Sequence, residues 1–515
     1  MAAPAPLPPL EGSQRVIATV ALSLATFMNV LDTTIANVSI PAIAGDLGVT
    51  PNQGTWVITS FAVANAIAVP LTGWLAQRFG QVRLFAVSVV LFVITSLLCG
   101  LATSLPMLIV GRVLQGAVAG PMIPLSQSLL LQIFPREKAG MALAAWSMTT
   151  LVAPVLGPIL GGLLTDNLSW PWIFYINVPI GLAAAWVSWS MLKTRESPTR
   201  KLPIDAVGLG LLVLWVGSLQ IMLDKGRDLD WFESPQIVLL GLTALVGFAF
   251  FLIWELTDRH PIVELHLFKG RNFTVGTVTI ALGYGLFFAN VVILPLWLQQ
   301  YMGYTATWAG MVTAPIGLLA ILLSPLVAKL LPRVDPRWLG SIAFLVFAGV
   351  SFMRAGFNLQ ADVAAIVWPQ VIQGIATATF FIPLISISLA GLEPSQIPLA
   401  SGLSNFARIT AGAFGASLST TLWDDRASLH HAHLVEHLRD GSPAVDQTLG
   451  SLSALGLDAT RSLAMLERQV DVQAHMLAAD DLFMLSAWLF LMLLGVLWLA
   501  RPPRRQTGTP VVAAD

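Results

Sequence analysis

The sequence predicts an all-α, polytopic membrane protein with fourteen transmembrane helices, arranged as two six-helix bundles plus two inserted helices. Three observations carry this prediction. First, 56% of the 515 residues are hydrophobic and only 11% are charged, whereas soluble domains carry about 25% charged residues. Second, a scan for apolar runs of about 20 residues, the length that crosses a bilayer, returns fourteen. Third, basic residues alternate between loops, with eighteen Lys and Arg on the side of the N terminus and seven on the other.

The runs fall at 16–39, 54–76, 83–102, 106–132, 140–164, 172–192, 206–223, 236–256, 273–298, 306–330, 339–355, 364–390, 398–423 and 482–500. An even number puts both termini on one side, and excess positive charge marks that side as cytoplasmic. Arg112 and Arg408 fall well inside their runs, while Arg354, at the end of run 339–355, is counted with the opposite loops. The N-terminal tail 1–15 is rich in Pro and Ala and lacks a basic n-region, so the first span serves as an uncleaved insertion signal. A lone cysteine, Cys99, lies in an apolar run and reads as a small core residue.

The two halves echo each other. The stretch 114–130, LQGAVAGPMIPLSQSLL, resembles 372–389, IQGIATATFFIPLISISL, with a one-residue slip, and Thr55-Trp56 recurs as Thr307-Trp308. The match pairs spans 2 and 4 with spans 10 and 12, which requires spans 7 and 8 to be inserted. The expected organisation is therefore a tail (1–15), a first bundle (16–200), an inserted pair (201–260), a second bundle (261–500) containing an extracytoplasmic loop (424–481), and a C-terminal tail (501–515). Facing six-helix repeats are the plan of alternating-access transporters.

The loop 424–481 has Leu463, Leu466, Val470 and Met476 at roughly helical spacing among charged residues, which predicts an amphipathic helix. It reads either as a solvated cap or as a docking surface. His430, His431, His433 and His437 stand there without any cysteine and read as surface histidines, so no metal site is expected. A net charge of −1 gives no ground for nucleic-acid binding.

A carboxylate within a membrane span is costly and marks function. Asp32 is the one acid well inside a run. At 1.5 Å per residue it lies about 24 Å from the cytoplasmic end of the first span, and Arg112 on the fourth reaches about the same depth. The two are expected to pair, because an unpaired buried charge is expensive. The pair either fixes helix packing or carries a proton exchanged for substrate. Arg408 lies mid-membrane with no acid at its depth, which leaves helix C-termini, polar side chains such as Asn405, or an anionic substrate as partners.

In the fifth span, Pro154, Gly157, Pro158, Gly161 and Gly162 suggest a kinked, bare-faced helix suited to a tight contact between bundles. Other candidates for lining a pocket are Asn29, Tyr284, Phe287, Phe288, Asn290 and Gln373. An ATP-driven pump needs a G-x-x-x-x-G-K-[ST] loop, which is missing, and no span offers a histidine as base for a hydrolase. An enzyme is not expected, nor is a cofactor.

These residues resemble the fourteen-helix drug:proton antiporters of the major facilitator superfamily over nearly the whole chain. The carrying motifs are LDTTIANVSIP in the first span, Gly73, Leu75, Arg78 and Gly80 in the loop after the second, Arg112, Gln115 and Gly116 in the fourth, and Gly157-Pro158 with Gly161-Gly162 in the fifth. The loop departs from the pattern at Gln77, where the family has Asp, and at Gln81, which is usually basic. The resemblance implies a major facilitator fold and proton coupling through Asp32, Arg112 and Gln115. It also implies a gating role for the loop, and an antiporter role for the fifth-span motif. It further implies an inner-membrane exporter of hydrophobic compounds, working with a periplasmic membrane-fusion adaptor and an outer-membrane channel.

Overall fold

The computed structural model describes residues 8–200, 203–436, 438 and 443–502, and every regular element among them is helical. The long elements are α1 (Gly12–Asp46), α2 (Trp56–Ala68 with Thr72–Phe79), α3 (Gln81–Gly100), α4 (Leu105–Ala119 with Met122–Ile133), α5 (Ala139–Asn167), α6 (Trp172–Tyr175 with Asn177–Leu192) and α7 (Ala206–Lys225). They continue as α8 (Pro235–Thr257), α9 (Arg271–Gln300), α10 (Ala306–Thr313 with Ile316–Leu330), α11 (Pro336–Arg354), α12 (Val363–Ser388), α13 (Ile397–Glu436) and α14 (Ala459–Leu497).

Eleven are long and apolar enough to cross a membrane, and the α2 pair, bent by 61°, makes a twelfth. The predicted runs 140–164 and 398–423 fall inside the remaining two, α5 and α13. Helix α13 is polar for a span because it buries Ser401, Ser404, Asn405 and Arg408 at the centre of the molecule. The bend in α2 follows Pro70, which supplies no backbone N–H. Leu239, Leu245, Phe250 and Ile253 of α8 are each at least 60% exposed, a surface suited to lipid rather than water.

Helix pairing repeats along the chain. Helix α1 packs on α5 and α6, α2 on α4, and α3 on α4 and α6; the same set recurs as α9 on α13 and α14, α10 on α12, and α11 on α12 and α14. Helices α7 and α8 have no counterpart in this scheme and pack chiefly on each other. The far end of α7 reaches both sets. Its Asp224 carboxylate accepts from Thr59 on α2, Lys225 donates to Thr55 at 2.8 Å, and the Leu223 carbonyl accepts from Ser417 on α13 at 2.7 Å.

Segment 424–481 is a pair of helical extensions of α13 and α14 joined through a short helix, Pro443–Ala454, rather than an open loop. Across this hairpin, His430 and Arg426 meet Asp481 at 2.8 and 3.1 Å, and His431 meets Glu467 at 3.0 Å. His437 lies outside the described residues.

Arg354 departs from expectation. It is 2% exposed rather than a loop charge, because α11 ends inside the packed core, where Arg354 donates to Gln373 and faces the Phe483 ring at 6.0 Å.

Candidate functional site

Two buried polar clusters stand out, one within the first helix set and one between the sets. In the first, Asp32 of α1 and Arg112 of α4 are both fully buried and meet at 2.5 Å. Gln115, one turn after Arg112, donates to the other carboxylate oxygen at 3.1 Å. Asn177 at the start of the long segment of α6 donates to that same oxygen at 3.0 Å and to Ser96 of α3 at 3.0 Å. Arg112 also donates through Nε to the Val57 carbonyl of α2 at 3.0 Å and lies over Phe61 at 4.2 Å. Five helices thus converge on one carboxylate. Its three donors come from two other helices, Arg112 and Gln115 from α4 and Asn177 from α6.

Asn177, Ser96 and Phe61 were not singled out in the sequence. An asparagine opening a helix reads as an ordinary end residue, and only the fold places it opposite Asp32.

The second cluster lies between the sets, around a narrow cavity of about 10 Å³ lined by Gln127, Trp146, Ile280, Ile385, Asn405 and Arg408, among others. Asn405 of α13 donates to Gln127 of α4 at 3.1 Å and accepts from Arg408 at 2.9 Å. Tyr284 lies against the Arg408 guanidinium, ring centre at 4.7 Å.

The remaining candidates divide. Phe288 stacks on Tyr284 at 5.7 Å, while Phe287 turns to Phe347 inside the second helix set. Asn29 does not line the central cavity; it donates to the Ala119 carbonyl of α4 at 3.1 Å. Asn290 binds Ser486 of α14 at 3.2 Å and borders a separate apolar cavity of about 160 Å³ between α9, α13 and α14. Gln373 is engaged by Arg354.

The glycines of α5 face a different neighbour from the one expected. A Cβ on Gly157 would lie 2.1 Å from Thr34 Oγ1, and one on Gly161 2.8 Å from the Ile35 carbonyl. Both therefore pack α5 on α1 of the same set, not across the two sets, and Gly162 meets nothing within 4 Å. Helix α5 is continuous through Pro154 and Pro158, whose side chains lie outside the described residues. Contact between the sets occurs elsewhere. A Cβ on Gly140 would sit 2.7 Å from the Ala328 carbonyl, and one on Gly73 would sit 2.5 Å from the Leu399 side chain.

In the loop after α2, Gly80 adopts φ +88°, a left-handed value that favours glycine. Glu196 fills the space beside it and accepts from the backbone N–H groups of Val82 and Arg83 at 3.0 and 2.8 Å, capping α3. Arg78 lies by the Trp74 ring at 5.3 Å. Gln81 accepts from Ser128 and Gln132 of α4.

Comparison with known proteins settles the family. The family model for the Major Facilitator Superfamily matches residues 22–416. This chain belongs to the major facilitator superfamily. It is 52% identical to the multidrug export protein EmrB of Escherichia coli over 96% of this chain and 97% of that one. It is 47% identical to the fatty acid resistance protein FarB of Neisseria gonorrhoeae over 97% and 99%. Among solved structures, the proton:xylose symporter XylE superposes with a TM-score of 0.56 at 14% identity, covering 93% and 96% of the two chains. The human organic anion transporter MFSD10 superposes with a TM-score of 0.57, also at 14% identity, covering 95% and 100%. At that identity these two speak for the fold alone. The chain is an EmrB-like, multi-pass membrane transporter of the multidrug export type.

Proposed function

We propose that this transporter is a proton-coupled antiporter of the inner membrane that exports hydrophobic or amphipathic toxic compounds. The observation that supports this best is Asp32, a carboxylate with no solvent exposure held by Arg112, Gln115 and Asn177 from two other helices. When the site opens to the periplasm, Asp32 takes up a proton. The neutral acid binds Arg112 and the amides less strongly, which frees α1 from α4 and α6 and permits the return swing. On the cytoplasmic side the proton leaves and substrate occupies the cavity between bundles 16–200 and 261–500, with 201–260 as an inserted pair. Both termini are cytoplasmic in this reading, Gly73, Arg78 and Gly80 belong to the cytoplasmic gate, and Gly157 and Gly161 set the α1–α5 contact along which the carboxylate moves.

A periplasmic adaptor and, through it, an outer-membrane channel complete the export route. The hairpin of α13 and α14 extensions is the largest extracytoplasmic feature available to the adaptor. The deciding experiment is proton flux in proteoliposomes over a panel of amphipathic compounds, wild type against Asp32→Asn. Substrate-driven proton movement opposite to substrate, lost in Asp32→Asn, is expected. Movement of both in one direction would replace antiport with symport.

A further inference from the structure

The arginines inside the helix bundle are not equally neutralised. Arg112 has a carboxylate partner at 2.5 Å. Arg408 is only 6% exposed and pairs with no carboxylate among the described residues. Its Nη2 donates to the neutral oxygen of Asn405, and its Nε has no hydrogen-bond partner. The rings of Tyr284, Trp146 and Phe381 lie 4.7, 5.9 and 6.0 Å away. Ring faces attract a cation but carry no net charge, so the guanidinium remains uncompensated where burying charge is most costly. It also lines the cavity between the two helix sets, beside apolar Ile280, Ile385 and Leu389. Arg354 also has an unpartnered Nε, but it is buried against Gln373 and Phe483 and lines neither cavity.

We propose that Arg408 is the recognition site for the acidic group of an amphipathic organic anion, whose apolar part lies on the surrounding rings. This rests on the export reading above and names its substrate class. A planar guanidinium fork fits a carboxylate with two parallel hydrogen bonds, and the free Nε is one of the donors that such a pairing uses. The anion supplies the charge that the protein withholds. A consequence follows for energetics. Exporting a monovalent anion for one inward proton moves two charges across the membrane, a neutral substrate moves one, and a monovalent cation moves none. Membrane potential therefore drives anion export most strongly.

The test uses three compounds of matched shape, 4-phenylbutyrate, 4-phenylbutyramide and 4-phenylbutylamine, titrated at neutral pH into the full-length protein in lipid nanodiscs. The carboxylate is expected to bind about tenfold or more tightly than the amide, the scale of one charge-assisted hydrogen-bond pair. Arg408→Gln erases that preference. Asn405→Asp, which places a carboxylate beside Arg408 without removing it, erases it too and serves where the glutamine variant fails to fold. Equal binding of carboxylate and amide to wild type, or full preference retained in either variant, overturns the assignment. Proton flux with the same compounds separates the two readings. Flux driven by the amine or amide but not the carboxylate leaves antiport standing and sinks the anion site. Arg408-dependent binding of the carboxylate without any proton flux does the reverse.

Discussion

Asp32 is the centre of the buried polar cluster in the first helix set, and on the proposed coupling its neighbours give graded expectations. Asp32→Asn keeps size and hydrogen-bonding capacity but cannot ionise, so coupled export should vanish while the protein still inserts. Export assays beside a membrane-fraction blot check both halves, and full retained transport would remove Asp32 from the mechanism. Asn177→Ala deletes one of three donors to the carboxylate and also releases Ser96. A hydrogen bond to a charged group contributes about 1.5–3 kcal/mol, so coupled flux should fall about tenfold. Wild-type flux in Asn177→Ala would show that Arg112 and Gln115 suffice. The charged members of this cluster were legible in the sequence because a charge in an apolar run is anomalous on energetic grounds alone. Asn177 and Gln127 were not, since a neutral amide near a helix end or in a polar stretch has many ordinary explanations.

At the scale of elements, the α5 glycines separate by what they touch. Gly157→Ala puts a methyl group into Thr34 Oγ1 at 2.1 Å, and such overpacking costs about 1–3 kcal/mol. Gly162→Ala meets nothing within 4 Å and should gain up to about 1 kcal/mol from helix propensity. Thermal unfolding in detergent should place the two variants on opposite sides of wild type, and a common shift would contradict the packing. Helix α11 offers a pH-dependent case. Asp335 caps it, accepting from the Arg337 backbone N–H at 3.0 Å and from its guanidinium at 2.6 Å. Burial opposes ionisation of Asp335, but the bonds from Arg337 outweigh it and hold the carboxyl below its ordinary value. A depressed folded value means that the stabilisation is full above the ordinary unfolded value and is lost as pH falls through the folded one. Asp335→Asn should therefore lower stability by about 1 kcal/mol at neutral pH, with the difference closing in strong acid. A pH-independent difference would exclude ionisation as its source.

For the whole molecule, the two helix sets meet closely at Gly140 against the Ala328 carbonyl and at Gly73 against Leu399. Both contacts lie toward the side of the termini, as does the link between the Leu10 N–H and the Ile133 carbonyl at 3.1 Å. Gly140→Ala obstructs this closure. If closure is needed in each cycle, export should fall about tenfold or more at normal insertion, given about 1–3 kcal/mol of overpacking. Unchanged export would mean that the gap is taken up elsewhere. Helix α7 ties both sets together at the opposite end, through Thr55 and Thr59 on one and Ser417 on the other. The inserted pair is thus more than a lipid-facing addition.

The number and placement of helices, the repeat between halves and the anomalous charges Asp32, Arg112 and Arg408 were determined by the sequence itself. Each follows from a local rule: apolar length against bilayer thickness, or the cost of a charge among apolar neighbours. Which helix each face meets was decided only in the tertiary structure. The α5 glycines pack on α1, Arg354 turns into the core, and Asn177 completes the Asp32 shell, because in a bundle of near-uniformly apolar helices the rotation of each is set by its neighbours. Hydropathy measures depth along the membrane normal and carries little information about direction within the plane.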